Sequence, residues 1–383
     1  MKIGNRLAIL IVTETMGLGG VQTHILALAQ SLLNKDRRVA VASAGGPFVR
    51  KLEAYGIAHY CVPLNRKRAL PFAVLQLYQI IRDNRFQLIH SHPRLKPILA
   101  GYLAATLNGV PTVTTVHGIF PTFLNYFYLR WMARRVIAVS QEVREHLICT
   151  GRLYHNSISV IHNGIDLAKF VPPAADLAKS SAVGTKIVYI SRLAPEKLSA
   201  VNCFIDAALH VYPELPDLQM TIVGSGREME SVAAHAAKTN AQLGHDCIKI
   251  TGGVTNPVSM IQEADAVVGV GRVILEAMAC GKPAIVVGYS IGHKGGNFGG
   301  IVKPDNISEI LAYNFSGRHS SVRVSPDGIA ESIRELMRFP EKREALGKFG
   351  RHFVEERFGV EAAADLTEQV YRKVQGIAGK NIS

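Results

Sequence analysis

The chain has 383 residues, more than one hydrophobic core usually serves, and its 48% hydrophobic and 19% charged residues exclude a disordered protein. No apolar stretch approaches the ~18 residues of a membrane span, and the first apolar run is too short for a signal peptide, so we expect a soluble, cytosolic protein. The net charge of +13 lies wholly in residues 1–170, which carry 20 Lys and Arg against 7 Asp and Glu. Residues 171–383 carry 23 basic and 23 acidic residues. We therefore expect the first half to face an anionic partner.

Both halves of the chain alternate short β-branched runs with longer helical patterns, which predicts parallel, doubly wound sheets. In the first half, the predicted strands cover residues 7–12, 38–43, 88–90, 112–116, 136–139 and 158–161. The helices predicted between and after them cover residues 21–33, 48–55, 71–83, 96–108, 123–133 and 141–149.

A second series of the same kind follows a segment rich in Ala, Ser and Pro. Its predicted strands cover residues 186–191, 219–223, 248–251, 266–268 and 284–287, and the later helices cover 272–280, 329–338, 342–355 and 360–374. We therefore expect two Rossmann-like domains, at 1–170 and 185–359, joined by a linker at 171–184. Ligands of such sheets bind at the carboxyl ends of the strands, so the loops that follow strands are the candidate sites.

The first predicted strand leads into a glycine-rich loop that precedes a helix. Gly17, Gly19 and Gly20 allow the backbone to approach a ligand closely. The G-x-G-x-x-G order of a dinucleotide fingerprint is absent, however, and the next strand ends at Ser43 without an acidic residue. These two absences exclude a nicotinamide-dependent dehydrogenase.

Three histidines, His90, His92 and His117, follow the next predicted strands. A metal site would require them to converge with a carboxylate or a cysteine, and no such residue is near them in sequence, so no metal is expected. The 5 cysteines are scattered without metal-ligand spacing, which indicates reduced thiols. His90 and His92 suit a structural role, whereas His117, before Gly118, could equally be structural or provide a hydrogen bond in a cleft.

Basic clusters with aromatic neighbours occur at residues 66–68 and 134–135. Residues 123–135 combine aromatic and basic side chains as an interfacial helix does, although the same aromatics would also suit a core. No nucleic-acid-binding motif accompanies the charge, so nucleic acid is not an expected partner.

In the second half, residues 267–283 predict an anion site. An apolar strand leads into the glycine turn 269–271, and a helix begins at about Arg272. Free N–H groups and the positive end of the helix meet there, so a phosphate can bind without any side chain. Glu276 lies in the first turns of that helix, close enough to hydrogen-bond a ribose. The alternative is an ordinary connection whose glycines only form the corner.

Two other strand ends in the second half carry matching features. Arg192 and Lys197 lie just past the end of a strand, where two cations suit a diphosphate. Gly224 and Gly226 repeat the strand–glycine–helix pattern after the next strand. Together with the turn at 269–271, these features predict one convergent anion site.

In this order, the motifs resemble those of glycosyltransferase family 4, retaining enzymes of the GT-B fold. The resemblance rests on eight segments: GLGGVQTHILALAQ, LIHSHPRLKPILAGYLAA, VTTVHG, IAVSQEVREHL, VIHNGID, SRLAPEK, VGSGRE and LEAMACGKP. It implies two tandem Rossmann-like α/β domains with a cleft between them. The first would bind the acceptor and the second a nucleotide-diphospho-sugar. A C-terminal helix at about 360–382 would cross back to the first domain.

The resemblance implies a role for each candidate residue. Arg192 and Lys197 would neutralise the leaving diphosphate, Glu276 would hold the ribose hydroxyls and His117 would contact the transferred sugar. Fixed donors at that phosphate would stabilise the transition state more than the ground state, and no metal ion would be needed. Further substrate-binding positions would be Gly19 and Gly20 from the first domain, Gly224 and Gly226, Gly252 and Val254 at the base, and Gly269, Val270, Gly271, Arg272 and Val273 around the diphosphate.

Two departures from the family pattern bear on the donor. The family usually has two glutamates separated by seven residues, and the second corresponds to Glu276. Val268 stands where the first would be, and a valine cannot hydrogen-bond a donor sugar. The segment 306–327 is also longer than the turn of many members, and its Arg318 and His319 could contact sugar or acceptor.

The sequence thus predicts a cytoplasmic transferase at the inner face of the plasma membrane, with its basic first half on the anionic surface. It would move a sugar from a UDP- or GDP-sugar to a glycan or lipid-linked acceptor in cell-surface polysaccharide or lipopolysaccharide synthesis. The nucleotide-sugar is a co-substrate, and no cofactor is expected. Two alternatives remain: a catalytically silent binding subunit, suggested by Val268, and a nucleotide-sugar epimerase of the same fold.

Overall fold

The structure is a computed structural model that describes residues 6–92, 94–119, 129–174, 184–289 and 295–380. The chain divides into two compact units, Met1–Gly164 with Val360–Ser383, and Ile165–Gly359. Ile165 and Phe170 are buried in the core of the second unit, so the first unit ends at residue 164 rather than at residue 170. Most of the expected linker, residues 175–183, lies outside the described residues.

The first unit contains a parallel sheet of 7 strands. The strands are β1 (Ala8–Val12), β2 (Arg38–Ser43), β3 (Ala58–Cys61), β4 (Leu88–Ser91), β5 (Thr112–Val116), β6 (Arg135–Ala138) and β7 (Ile158–Val160). Their spatial order is β3-β2-β1-β4-β5-β6-β7, and every pairing is parallel. The order reverses between β1 and β4, so the connections after these two strands diverge and leave a crevice at the carboxyl edge of the sheet.

Burial explains which strands the sequence reveals. All side chains of β1 and β5 are buried, because helices cover both faces of the sheet, and such strands are continuous apolar or β-branched runs. The edge strand β3 has the sequence AHYC and no fully buried side chain. It lacks the apolar run by which the other strands were predicted, and the sequence analysis missed it.

The helices of the first unit connect successive strands. They are α1 (Gly20–Asn34), α2 (Val49–Ala54), α3 (Leu70–Asp83), α4 (Leu95–Leu107), α5 (Leu129–Met132) and α6 (Gln141–Cys149). The start of α6 is fixed by Ser140, whose Oγ accepts a hydrogen bond from the Val143 N–H at 3.2 Å. Of the predicted helix at 123–133, residues 123–128 lie outside the described residues, so the proposed interfacial helix is described only in its second half.

The second unit contains a sheet of 6 strands in the order β10-β9-β8-β11-β12-β13. The strands are β8 (Lys186–Ile190), β9 (Gln219–Val223), β10 (Ile248–Gly252), β11 (Ala266–Gly269), β12 (Ala284–Val287) and β13 (Phe298–Ile301). The edge strand β13 was not predicted and pairs antiparallel with β12, so this sheet is not wholly parallel. Its sequence, FGGI, has no apolar run because two of its four residues are glycines. The switch in strand order falls between β8 and β11.

The helices of the second unit flank that sheet. They are α7 (Leu198–Val211), α8 (Met229–Leu243), α9 (Val258–Glu263), α10 (Arg272–Ala279), α11 (Ile307–Ala312), α12 (Pro326–Arg338) and α13 (Pro340–Arg357). The long segment 306–327 therefore consists of α11, a loop and the start of α12. Ser325 caps α12 by accepting a hydrogen bond from the Gly328 N–H at 3.1 Å.

The C-terminal helix α14 (Val360–Lys380) is part of the first unit. Its apolar side chains, Ala363, Ala364, Val370, Tyr371 and Val374, share a buried cluster with Ile9 and Ile11 of β1. Gly164 permits the close approach of the chain to this helix, because a Cβ at that position would lie 2.6 Å from the Val360 Cα. Across the described residues, no helix is both long enough and apolar enough to cross a membrane.

Candidate functional site

The loops at the carboxyl edge of the second sheet pack directly on one another. The Leu193 N–H, after β8, donates a hydrogen bond to the Ser225 carbonyl, after β9, at 2.9 Å. A Cβ on Gly224 would lie 1.8 Å from the Ser191 carbonyl oxygen, and one on Gly226 would lie 2.0 Å from that of Leu193. Both glycines are therefore required for close backbone packing, which holds the loop that carries the two predicted cations.

The side chain of Lys197 lies in this packed edge rather than in open solvent. Its Nζ donates a hydrogen bond to Ser191 Oγ at 3.2 Å and lies 5.6 Å from the centre of the Tyr289 ring, just after β12. Burial, together with the neighbouring charge of Arg192, lowers the pKa of Lys197 to about 8. Arg192 is more exposed, and its guanidinium pairs with Glu196 at 2.6 Å. The two predicted cations are thus close in space.

A third cation, Arg318, joins this pair. Its guanidinium carbon lies 5.9 Å from the centre of the Tyr289 ring that Lys197 also contacts. The loop that carries Arg318 is seated on the sheet edge, because a Cβ on Gly288 would lie 1.9 Å from the Ser316 carbonyl oxygen. Both cations lie against the same ring, whose face attracts them, and together they form a cationic surface suited to an anion.

The predicted glycine turn forms between β11 and α10. Gly271 has a φ of 62°, which a residue with a side chain rarely adopts, and its N–H donates a hydrogen bond to the Phe315 carbonyl at 2.8 Å. A Cβ on Gly269 would lie 2.9 Å from Val273 Cγ1, so the strand and helix pack without space for a side chain. Because β11 and β8 are adjacent and parallel, the start of α10 lies on the same edge as Arg192 and Lys197.

Glu276 is buried and forms an ion pair with Arg272, which lies one helical turn earlier in α10. Its Oε1 accepts a hydrogen bond from Arg272 Nε at 2.8 Å, and both side chains are less than one tenth exposed. Burial raises the pKa of Glu276, and the charge and hydrogen bond of Arg272 oppose that rise. The Arg272 side chain therefore acts on this carboxylate, and the contact of the Arg272 backbone N–H with a phosphate stays a prediction. The contact of Glu276 with a ribose stays a prediction.

Val268 does not lie where a sugar-binding glutamate would have to be. Val268 lies within β11, is fully buried, and belongs to the hydrophobic cluster that contains Ile187 and Phe204. A side chain there enters the core and cannot reach a sugar hydroxyl. The spacing of seven residues fails as a guide here because only Val270 and Gly271 separate the strand from α10.

The residues expected at the base lie at the end of β10. Gly252 has a φ of 77°, and its carbonyl accepts a hydrogen bond from the Gly224 N–H at 2.9 Å. Val254 is half-buried and packs against the core of the unit. Both therefore lie beside the loops described above, and their contact with a base stays a prediction.

In the first unit, the predicted histidines lie at the carboxyl edge beside the strand-order switch. His90 is fully buried, and both its ring nitrogens are engaged, at 2.7 Å each, by the Tyr371 and Thr115 hydroxyls. Burial lowers the pKa of His90 to about 3 and that of His92 well below its usual value, so both rings are neutral at pH 7. His117 is half-buried, and its Nε2 lies 3.0 Å from His92 Nδ1.

The glycine loop after β1 borders the same crevice. Gly19 and Gly20 are exposed, and Gln22 Nε2 donates a hydrogen bond to the Thr15 carbonyl at 3.2 Å. Glu14 pairs with Arg94, which follows β4, at 3.1 Å. The loop thus leaves its two glycines exposed, and their approach to a diphosphate stays a prediction.

The sequence analysis missed two side chains that lie in these sites and left the place of a third open. Tyr289 directly follows β12 and could have been found by the rule that identified Lys197, namely its position after a strand. His24 lies on the first turns of α1, and its ring is 5.0 Å from that of His117. Arg318 was noted only as a possible sugar contact, because nothing in its local sequence indicates that its loop folds back onto the β11–β12 edge.

The geometry of both units agrees with the comparisons to known proteins. The model of Glycosyltransferase Family 4 matches residues 18–169, and that of Glycosyl transferases group 1 matches residues 184–315. The UDP-Gal:alpha-D-GlcNAc-diphosphoundecaprenol alpha-1,3-galactosyltransferase of Escherichia coli is 30% identical over 305 residues, or 70% of this chain and 76% of that protein. The alpha-maltose-1-phosphate synthase of Mycolicibacterium smegmatis is 25% identical over 93% of this chain and 96% of that protein.

A solved structure shows the same architecture. Anabaena HepE in complex with UDP-glucose superposes with a TM-score of 0.76 at 20% identity, over 96% of this chain and 99% of that one. The two parallel-sheet units of this chain accordingly have the GT-B fold, as the sequence predicted. With the two matching models and the relative at 30% identity, this chain belongs to glycosyltransferase family 4.

Proposed function

We propose that this glycosyltransferase moves a sugar from a UDP-sugar to a lipid-linked or glycan acceptor, with retention of the anomeric configuration and without a catalytic metal ion. The observation that carries the proposal is the cationic surface at the edge of the second sheet, where Lys197 and Arg318 lie over the Tyr289 ring and Arg192 lies near Lys197. It lies beside the start of α10, whose N–H groups add further positive character.

The chemistry requires stabilisation of a leaving diphosphate. Cleavage of the bond between sugar and phosphate builds negative charge on the nucleotide and positive charge on the sugar. Cations and N–H groups that are already fixed in place stabilise that charge more in the transition state than in the ground state. Lys197 is well suited to this task because burial strengthens its interaction with an anion.

Two comparisons support the choice of donor and acceptor. The Escherichia coli relative is named for a UDP-Gal donor and a GlcNAc-diphosphoundecaprenol acceptor, and the HepE structure is a complex with UDP-glucose. The positive charge of residues 1–170 complements an acceptor that carries a diphosphate at an anionic membrane surface. We therefore place the reaction in cell-surface polysaccharide or lipopolysaccharide synthesis, on the cytoplasmic face of the membrane.

A transfer assay tests this function directly. The full chain is incubated with UDP-Gal, UDP-Glc or UDP-GlcNAc and a synthetic GlcNAc-diphospho-lipid acceptor, and UDP release and the glycolipid product are measured. We expect acceptor-dependent release of UDP from one donor, with the coupling constant of the new anomeric proton reporting retention. Lys197→Gln should lower kcat by about 100-fold, as does the loss of one fixed donor at a developing charge.

The same assay separates the alternatives. A silent binding subunit would bind UDP without releasing it from any sugar, whatever acceptor is added. An epimerase would convert one UDP-sugar into its epimer in the absence of acceptor. A transferase of another acceptor class would release UDP only when soluble glycans replace the lipid. Inverted configuration in the product would contradict the proposed retention.

A further inference from the structure

Three histidine side chains from distant parts of the sequence meet in the first unit. His24 lies on α1, His92 follows β4 and His117 follows β5. One ring nitrogen of each lies within 4.8 Å of those of the other two. His92 is 0% exposed and His24 7% exposed, so the cluster is largely shielded from solvent. The expectation that no metal binds rested on the lack of a nearby carboxylate or cysteine, whereas the fold brings a third histidine, His24, to His92 and His117.

The distances are close to those of ligands on a single ion. His92 Nδ1 and His117 Nε2 are 3.0 Å apart, whereas two nitrogens at 2.0–2.1 Å from a tetrahedral zinc ion lie about 3.3 Å apart. The ring of His24 meets that of His117 edge to face, with centres 5.0 Å apart and an angle of 69° between the rings. All three nitrogen separations are within 4.8 Å, so side-chain movements of up to about 1.5 Å would bring them to the value for one ion.

The two closest nitrogens of the cluster already share one proton. His92 Nδ1 and His117 Nε2 lie within hydrogen-bond distance, so one of them donates to the other when no ion is present. A metal ion would replace that proton, because an imidazole nitrogen is a ligand only when it carries no proton, and binding should therefore release a proton.

His90, adjacent in space, provides the contrast. Its ring stacks on His92 with centres 4.4 Å apart, but both its nitrogens are held by hydroxyl groups, those of Tyr371 and Thr115. His90 therefore cannot serve as a ligand without losing two buried hydrogen bonds. Its ring packs against that of His92 and restricts the movement of the His92 side chain.

We propose that His24, His92 and His117 form a binding site for a divalent transition-metal ion of the zinc class, with a fourth position open to water or a small ligand. Three neutral imidazoles suit Zn²⁺, Co²⁺ and Ni²⁺, whereas Mg²⁺ and Ca²⁺ require oxygen ligands. An ion held there occupies the ring of His117 and excludes its contact with a transferred sugar. That consequence rests on the proposed function, but the binding itself does not.

Cobalt binding tests the site by a readout independent of sugar transfer. The tag-free full chain is stripped with EDTA and titrated with Co²⁺ while the visible absorption bands of the ion are followed. We expect one ion per chain with the intense bands of tetrahedral coordination, displacement by Zn²⁺ and no effect of Mg²⁺. His24→Gln and His117→Gln should each weaken binding by at least about 100-fold, because even partners behind ligands contribute 10- to 100-fold.

The matched control is His352→Gln, an exposed histidine of α13 that pairs with Glu356 at 3.2 Å. It should bind Co²⁺ as the unaltered chain does, and circular dichroism of all variants should show the native fold. An unaltered chain that takes up no Co²⁺ would overturn the proposal. Binding that persists in both ligand variants, or that is lost equally in the His352 variant, would overturn it as well.

Discussion

The surroundings of Lys197 change the pKa of its side chain. A lysine in water is charged up to about pH 10.4, but the packed loops after β8 and β9 and the charge of Arg192 lower the pKa of Lys197 to about 8. Near pH 8 the side chain of Lys197 therefore changes between its charged and neutral forms, and a bound anion would favour the charged form.

This pKa predicts a pH dependence of nucleotide binding. Below about pH 8, Lys197 is charged, whereas above it the amine is neutral and must take up a proton to bind a diphosphate. The affinity for UDP should then fall by up to about tenfold per pH unit. Calorimetric titrations between about pH 7 and 9.5 would measure this. In Lys197→Arg, whose guanidinium stays charged, we expect an affinity that is flat over the range. A parallel decline in both proteins would assign the effect to another group.

The buried pair of Arg272 and Glu276 gives a second prediction at this scale. Glu276→Ala leaves the Arg272 charge buried without its partner and should lower the free energy of unfolding by about 3–5 kcal/mol in urea. Glu276→Gln keeps a hydrogen-bond acceptor, so it should cost less stability and still lower UDP affinity by about tenfold or more if it holds the ribose.

Nucleotide analogues separate the two effects of Glu276. Binding of 2′,3′-dideoxy-UDP, which lacks the ribose hydroxyls, should be weak in the unaltered chain and should not weaken further in Glu276→Gln. If the substitution weakens UDP and the dideoxy analogue by the same factor, Glu276 supports the site through Arg272 and not through the ribose.

At the scale of elements, the glycine turns determine where loops can meet. Gly224 has no space for a Cβ, because the Ser191 carbonyl occupies it, so this residue fixes the distance between the loops after β8 and β9. Gly288 does the same for the loop that carries Arg318. The sequence analysis assigned Gly224 to a convergent anion site; the structure adds a packing role that positions the loop of Lys197, and a substrate contact of Gly224 stays a prediction.

Gly224→Ala should therefore disturb the cation site through the backbone. We expect a loss of about 1–3 kcal/mol in the free energy of unfolding, as for other overpacked positions, together with weaker UDP binding. The control is Gly376→Ala on the exposed face of α14, where nothing lies within 4 Å of the added Cβ. That change should raise stability by about 0.5–1 kcal/mol. Unchanged stability and UDP affinity in Gly224→Ala would contradict the close packing.

At the scale of the whole molecule, the charge asymmetry of the sequence belongs to one unit. The excess of Lys and Arg lies in residues 1–170, and part of it forms a mixed basic and aromatic surface. There, Arg130 lies over the rings of Trp131 and Tyr154, which are 68% and 65% exposed. Exposed aromatic rings beside arginines are typical of proteins that bind an anionic membrane surface.

Vesicle co-sedimentation tests this surface. The full chain should pellet with phosphatidylglycerol vesicles at low salt, be released at high salt and remain in solution with phosphatidylcholine vesicles. Exchanging both Arg130 and Arg134 for Gln should reduce binding by about tenfold or more, at roughly 1 kcal/mol per charge. The same exchange at Arg338 and Lys348 of the second unit should have no effect. Binding that is insensitive to salt, or reduced equally in both pairs, would contradict the prediction.

The fold was predictable from the sequence because strand and helix patterns are local. A run such as AILIV indicates a strand wherever it occurs, and the alternation of such runs with helices indicates two doubly wound sheets. The rule that ligands bind after strands then located Lys197, His117 and the turn at 269–271. The edge strands β3 and β13 were not predicted, because short edge strands with polar residues or glycines lack such an apolar run.

The contacts between loops were decided only by the tertiary structure. Strand order is set by pairing between residues far apart in the chain, and it determines that His24 meets His92 and His117 and that Arg318 meets Tyr289 and Lys197. The strand predicted at residues 266–268 agrees with the buried position of Val268, whereas its spacing from Glu276 alone would have assigned it to a sugar site. The sequence by itself thus determined most of the elements, their order and the sheet edges where ligands are expected, whereas long-range pairing decided which side chains share a site.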